Sequence, residues 1–200
     1  RGALWNAHHF LAEHCSPDDI VVFLDGDDWL ACDHALSRIN ELYERYGCWV
    51  LYGQYRFSST GRYGSSMPFA DPQSFARHRE VWYVGHIRTF RAGVYHAIAD
   101  YDPVYDCMRG PDGEWYRTTE DRAIMYPVME LAGFDRVCFN DEVFYVYNDE
   151  NPLNDFRCNA EQQEIDAAHI CARAPFPRID RDFFGSRSEA EPPPPELVEA

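Results

Sequence analysis

Ile20-Val21-Val22-Phe23-Leu24 runs without a polar break into Asp25-Gly26-Asp27-Asp28, and that junction constrains the fold more than any other feature of the chain. A continuous β-branched and aromatic run of this length is what a strand covered on both faces of a mostly parallel sheet requires. Three carboxylates within four residues at its end repel one another, so a chain that keeps them there needs a cation or a cationic ligand to hold them. Oxygen ligands suit a hard divalent ion such as Mg²⁺ or Mn²⁺, which keeps open positions for substrate phosphates. The plainer reading, one acid capping the next helix and the rest solvated, is weakened by the apolar run in front.

The surrounding pattern extends the same grammar. Residues 2–14, with Leu4, Trp5, Phe10 and Leu11 roughly on one side, predict an amphipathic helix. After the acidic turn, Asp33 is placed to cap a helix through about Tyr46, which Gly47 stops, and 48–55 reads as the next strand. Helix, strand, acidic turn, helix, strand is the order of an α/β domain, where ligands sit at the carboxyl ends of strands. Residues 56–84 are rich in Ser, Gly, Pro and Arg and read as a long surface excursion with one short helix at 73–79. Further on, 86–90 predicts a strand, 91–99 a helix, and 100–116 a loop. Thr118 or Thr119 caps a helix through Leu131, with Glu120 and Asp121 in its first turn, where the helix dipole favours acids. Two short strands, 136–139 and 142–147, and a helix over 159–172 complete the pattern. The acidic, proline-rich stretch 186–200 is expected to be disordered.

Charge narrows the function classes. Against 34 acidic residues stand 18 basic ones, a formal net charge of −16, and all of the basic residues are arginine. Phosphate backbones want a basic surface, so no nucleic-acid partner is expected. The missing lysine excludes Schiff-base chemistry and a Walker-type phosphate lysine on this chain. No apolar run is long enough to cross a bilayer. Seven scattered cysteines without zinc spacing read as reduced thiols of a cytoplasmic protein.

The segment Ile20 to Leu30, with Asp25-Gly26-Asp27-Asp28 at its centre, resembles the D-x-D segment of family 2 glycosyltransferases with the GT-A fold. Thr118-Thr119-Glu120-Asp121, about 90 residues downstream, is similar to the family's E-D motif, and Glu142 to Asn151 to the strand that follows it. Gly2 to Leu11 looks like the end of a family helix whose Ala-Arg-Asn signature reads Leu4-Trp5-Asn6 here. The resemblance covers about residues 2–155. It implies a three-layer α/β/α domain with a mixed, mostly parallel sheet lacking its first strands, over 1–158, followed by a C-terminal helix and extension over 159–185. It also implies metal-dependent sugar transfer from a nucleotide-diphosphate donor onto an acceptor hydroxyl, with inversion. Asp27, helped by Asp25 or Asp28, would hold the Mn²⁺ or Mg²⁺ ion on the donor diphosphate. Asp121 would be the general base, with Glu120 orienting it or touching the acceptor. A base at a helix N-terminus is weakened by the dipole and depends on close geometry. The chain opens on Arg1 within a helical pattern, so an upstream part carrying the grip on the nucleotide base and ribose is expected to be missing.

Other residues divide between function and packing. His86 and Arg88 sit where family members present groups to the donor phosphates, although their alternation with Ile87 and Thr89 also suits a half-buried strand. Trp82, Tyr83, Trp115 and Tyr116 are of the type that stacks on sugar rings, Trp115 being the acceptor candidate, and are equally ordinary packing residues. Arg109 and Arg117 suit an anionic acceptor or simple pairing. Two alternatives stay open. One is a phosphatase resembling the haloacid dehalogenase type, with Asp25 as nucleophile, against which bulky Trp29 counts. The other is a non-catalytic sugar- or nucleotide-binding relic.

Overall fold

The computed structural model of the chain describes residues 2–180 and residue 184, so the acidic tail expected at 186–200 lies outside the described residues. Its elements run α1 (Ala3–His14), β1 (Ile20–Phe23), β2 (Trp29–Leu30), α2 (Ala35–Tyr46), β3 (Val50–Phe57), α3 (Pro72–Ala76), β4 (Arg88–Arg91), α4 (Ala92–His96), α5 (Glu120–Ala132), β5 (Val137–Tyr147), α6 (Asp155–Cys158) and α7 (Ala160–Ala172). The α/β class follows directly. No helix among the described residues is long and apolar enough to cross a membrane.

The strands form one mixed sheet in the order β1-β4-β3-β5-β2. Among the described residues only β3 and β5 pair in parallel; β1 with β4, β4 with β3, and β5 with β2 are antiparallel. The expected mostly parallel sheet is therefore corrected. The apolar run of β1 reports that both its faces are covered, not that its neighbours are parallel. Val21 and Phe23 pack against a cluster built from α1, α4 and α5, including Leu4, Val94 and Met125. Ile20 and Val22 pack against Ile39 and Tyr43 of α2. Pairing with β4 alone leaves the strand half-buried.

The two short strands expected at 136–139 and 142–147 are one strand, β5. Its register against β3 slips after Gly53, where Asn140 faces Gly53 but Val143 faces Gln54. This bulge absorbs the polar residues 141 and 142, which break the apolar pattern, without ending the ladder. It also turns Tyr145, Tyr147 and the following Asn148 toward the end of β1. Helix α2 ends as expected, on Gly47 in the left-handed region (φ 57°) with its N–H on the Tyr43 carbonyl. Its start differs: His34 occupies the cap position and no side chain caps the helix, so Asp33 does not play that part. The C-terminal helix α7 is tied into the main core, where Ile170 and Ile179 join the α5 cluster.

The excursion after β3 is pinned by a buried carboxylate. Glu130 on α5 accepts from His78 Nε2 at 2.7 Å, from Arg79 Nε at 2.6 Å and NH2 at 2.9 Å, and from the Phe176 N–H at 2.9 Å. Arg79 also donates to the Ile170 carbonyl at 2.6 Å. One side chain thus ties the excursion, α5 and the C-terminal segment together, and a buried charge is tolerable only with such full pairing.

Candidate functional site

A cleft of about 770 Å³ opens where β1, β4, β5, α5 and α7 meet, and Asp25, Asp27, His86, Arg88, Glu120 and Asp121 all line it. Segments about 60 and 30 residues apart in sequence converge there. The expected donor, metal and base residues are therefore neighbours in space.

The acidic turn is held from β5 and the loop beyond it. Asp28 accepts from the Tyr145 hydroxyl at 2.5 Å and from the Asn148 N–H at 2.7 Å. Asp27 accepts from Asn151 Nδ2 at 2.5 Å. The Asp25 N–H donates to the Tyr145 hydroxyl at 3.3 Å. Burial pushes the Asp28 carboxyl above its usual range, against the bonds from Tyr145 and Asn148, and the charges of Asp25 and Asp27 add to that rise. Tyr145, Asn148 and Asn151 escaped the reading of single residues, because their role is set by where the β5 bulge aims them. Their one sequence signal was the resemblance of the Glu142 to Asn151 stretch.

Asp25, Asp28 and His86 each bring one ligand atom within 4.8 Å of the others. The set differs from the expected Asp25 and Asp27: Asp27 is turned to Asn151, and His86 comes in from the residues before β4. The His86 ring stacks on Tyr145 (centroids 4.2 Å apart, 18°) and more loosely on Tyr147 at 5.7 Å. Burial and then the Arg88 charge hold its pKa well below the ordinary value, which keeps the imidazole neutral. Two carboxylates and an imidazole form a group that could hold a metal ion.

Arg88 is the buried counter-charge of the cleft. Its NH1 donates to Asp121 Oδ2 at 2.8 Å, and its NH2 lies 3.7 Å from Asp25 Oδ2 and 3.0 Å from His86 Nδ1. Burial works against its charge, but Asp121 and then Asp25 outweigh that and hold its pKa above the ordinary value. Asp121 is engaged at both oxygens, since Oδ1 accepts the Arg122 N–H at 2.8 Å.

Helix α5 presents Glu120 and Asp121 from a strained start. Thr119 occupies the cap position in the left-handed region (φ 60°), rare for a β-branched residue. It makes no side-chain cap, contrary to expectation. Thr118 is anchored instead on α7, its hydroxyl donating to Asp166 Oδ2 at 2.7 Å. Burial, and then the charge of Asp121, push the Glu120 carboxyl up to about 7. Trp82 and Arg122 also face the cleft, the guanidinium 5.3 Å above the indole ring.

Trp115 lies elsewhere. It lines a separate recess with Trp5, Arg109, Glu114 and Arg117, with the Arg109 guanidinium 4.6 Å from its ring centre. His169 accepts or donates a bond at 2.5 Å with the Tyr116 hydroxyl and does not line the cleft. No family model matches the chain, and no curated protein matches it.

Proposed function

We propose that the protein is a metal-dependent glycosyltransferase of the GT-A type, moving a sugar from a nucleotide-diphosphate donor to an acceptor hydroxyl. The observation that carries this reading is the convergence on one cleft of the acidic turn, the His86 and Arg88 pair and the Glu120-Asp121 pair. An open cleft of this size suits a donor and an acceptor together. In this reading Asp25, Asp28 and His86 hold a Mn²⁺ or Mg²⁺ ion, and Asp27, fixed by Asn151, supports the turn from beside them. When bound, such an ion offsets charge on a diphosphate leaving group.

The expected division of labour between Glu120 and Asp121 changes. Both Asp121 oxygens are occupied, Oδ2 by the Arg88 guanidinium and Oδ1 by the Arg122 N–H, so neither is left to meet an acceptor hydroxyl. Glu120, at about 7, is matched to accept a proton at neutral pH. Glu120 is therefore the general base of this reading, and Asp121 holds Arg88 in place.

The test is calorimetric titration of the full-length protein with Mn²⁺ and then with a panel of nucleotide-diphosphate sugars, beside Asp25→Asn and Asp27→Ala. Metal-dependent heat from one donor that Asp25→Asn abolishes is expected. A folded protein that binds no donor, with or without metal, refutes the reading.

A further inference from the structure

Helix α7 lends Ala160, Gln163, Glu164 and Ala167 to the wall of the cleft, and it also grips the start of α5, which carries Glu120. That start has little hold of its own. Thr119 is the cap residue, at φ 60° and ψ 28° and without a side-chain cap bond, a conformation that a β-branched residue keeps only where its surroundings impose it. The N–H groups of a first turn without a cap fray readily.

What imposes it comes from α7. The buried Thr118 donates from its hydroxyl to Asp166 Oδ2 at 2.7 Å, and Asp166 Oδ1 accepts from Gln162 Nε2 at 2.8 Å. The second bond, from one turn earlier on the same helix, fixes the carboxylate toward Thr118. A longer contact of 3.4 Å runs from the Thr119 hydroxyl to the Gln163 carbonyl. Helix α7 is itself anchored, since Ile170 sits in the main core and its carbonyl accepts from Arg79 at 2.6 Å. Asp166 is only 6% exposed, and both of these donors are neutral. An apolar side chain would suit so buried a helix position without that desolvation; what the carboxylate adds is the hold on Thr118.

We propose that Asp166 is a positioning residue for Glu120, holding the uncapped start of α5 through Thr118 so that the Glu120 carboxyl stays at the cleft wall; the role of that carboxyl as base rests on the glycosyltransferase reading. Helix α7 is then a working part of the site and not an extension behind it. The line of force runs from the core through Ile170 and α7 to Asp166, Thr118 and the strained Thr119, and ends on the two acids of α5. Asp121 is steadied a second time by Arg88, whereas the lock on Thr118 is the nearest fixed point on the chain side of Glu120.

The test compares the wild type with Thr118→Val, Thr118→Ser and Asp166→Asn in the full chain. Thr118→Val removes the donor and keeps the Asp166 charge, Asp166→Asn removes the charge and keeps an acceptor, and Thr118→Ser keeps the whole lock. By NMR hydrogen exchange, Thr118→Val is expected to speed the Arg122 and Ala123 amides, whose acceptors are the Asp121 carboxyl and the Thr119 carbonyl, by at least about tenfold. The amides of 126–131 and of α7 should keep their rates. The Glu120 carboxyl, raised to about 7 by burial and then by Asp121, is followed by its ¹³C shift. It should titrate at least about one pH unit lower in Thr118→Val, as the turn opens to water, and hold its value in the other two variants. Arg88 and Asp25, which also act on its charge, are untouched in all of them. Thr118→Ala, which removes the same hydroxyl, replaces the valine variant if that does not fold. Unchanged exchange and titration in the variant lacking the hydroxyl overturn the proposal. So does an Asp166→Asn effect as large as that of Thr118→Val, which would be charge acting at a distance, or faster exchange along all of α5 and α7, which would be stability alone. A wild-type carboxyl titrating near 4.5 also overturns it. Donor calorimetry decides the transfer reading separately: local opening in Thr118→Val without donor binding keeps the positioning and removes the transfer, and donor binding without local opening does the reverse.

Discussion

Glu120→Gln is expected to stabilise the protein while removing the base of the glycosyltransferase reading, and to stabilise it only above a definite pH. In the folded chain the Glu120 carboxyl is raised from 4.5 to about 7, first by burial and then by Asp121. The raised value means that the native state holds this proton more tightly than the unfolded chain. The contribution of Glu120 to stability is therefore fully present below about pH 4.5 and is lost as pH rises through about 7. Above that, the ionised group costs the native state about 3 kcal/mol, which a neutral isosteric amide does not incur. Urea denaturation followed by tryptophan fluorescence, in steps from pH 4.5 to 8, should show wild type and variant nearly equal at the acid end. At pH 8 the variant should lead by about 3 kcal/mol, or roughly 6–12 °C in Tm. A difference that is independent of pH, or a less stable variant at pH 8, refutes the electrostatic reasoning. Saturating Mn²⁺ should shrink the gap, because a nearby cation lowers the cost of the ionised carboxylate. Sugar transfer by the variant should fall by about 10²–10⁴-fold.

Three further outcomes follow from the same geometry. Arg88→Met removes a charge that holds Glu120 down, so the midpoint of the pH-dependent stability in the same urea series should move above 7. Asp28→Asn keeps one acceptor for the Asn148 N–H but loses a carboxylate of the candidate metal group; in the metal-dependent reading, Mn²⁺ affinity, measured by electron paramagnetic resonance, should drop at least about tenfold. Glu130→Gln leaves the Arg79 guanidinium and His78 without their buried carboxylate and should cost about 3 kcal/mol or more in urea denaturation. Burial alone would raise the Glu130 carboxyl, but His78 and Arg79 hold it below its ordinary 4.5, so its contribution is present above that value and lost as pH falls below it.

Local signals placed the elements well where one element decides its own pattern. The apolar run of β1, the αL glycine after α2 and the acids opening α5 each carry their physics within a few residues, and the structure has them where the sequence does. The strand directions were not legible, because β1's pattern records coverage by helices on both faces and carries nothing about its neighbour β4. The bulge of β5 was missed for a related reason: Asp141 and Glu142 read as a break between strands, whereas pairing with β3 carries the ladder across them. In the site, the acidic turn, His86, Arg88, Glu120 and Asp121 were legible as candidates, but their partners were not. Whether His86 meets Asp28, and whether Trp115 meets the cleft, depends on long-range packing that residue spacing does not encode.

The charge balance of the cleft limits what it can accept. Among its lining residues are five carboxylates, Asp25, Asp27, Glu120, Asp121 and Glu164, against the guanidiniums of Arg88 and Arg122. Arg88 is already paired with Asp121, and Arg122 lies over Trp82. A free diphosphate meets a surplus of negative charge here and is repelled. In the glycosyltransferase reading, a diphosphate that arrives with its divalent cation would present that cation to Asp25, Asp28 and His86, and its remaining charge would turn toward Arg122. Diphosphate and metal should consequently bind with positive coupling, each raising the affinity for the other by the same factor. Calorimetry of the diphosphate with and without Mn²⁺, and of Mn²⁺ with and without the diphosphate, measures that factor twice. Equal diphosphate affinity in the presence and absence of the cation would mean that the acids of the turn do not serve a shared metal, however well they are placed for one.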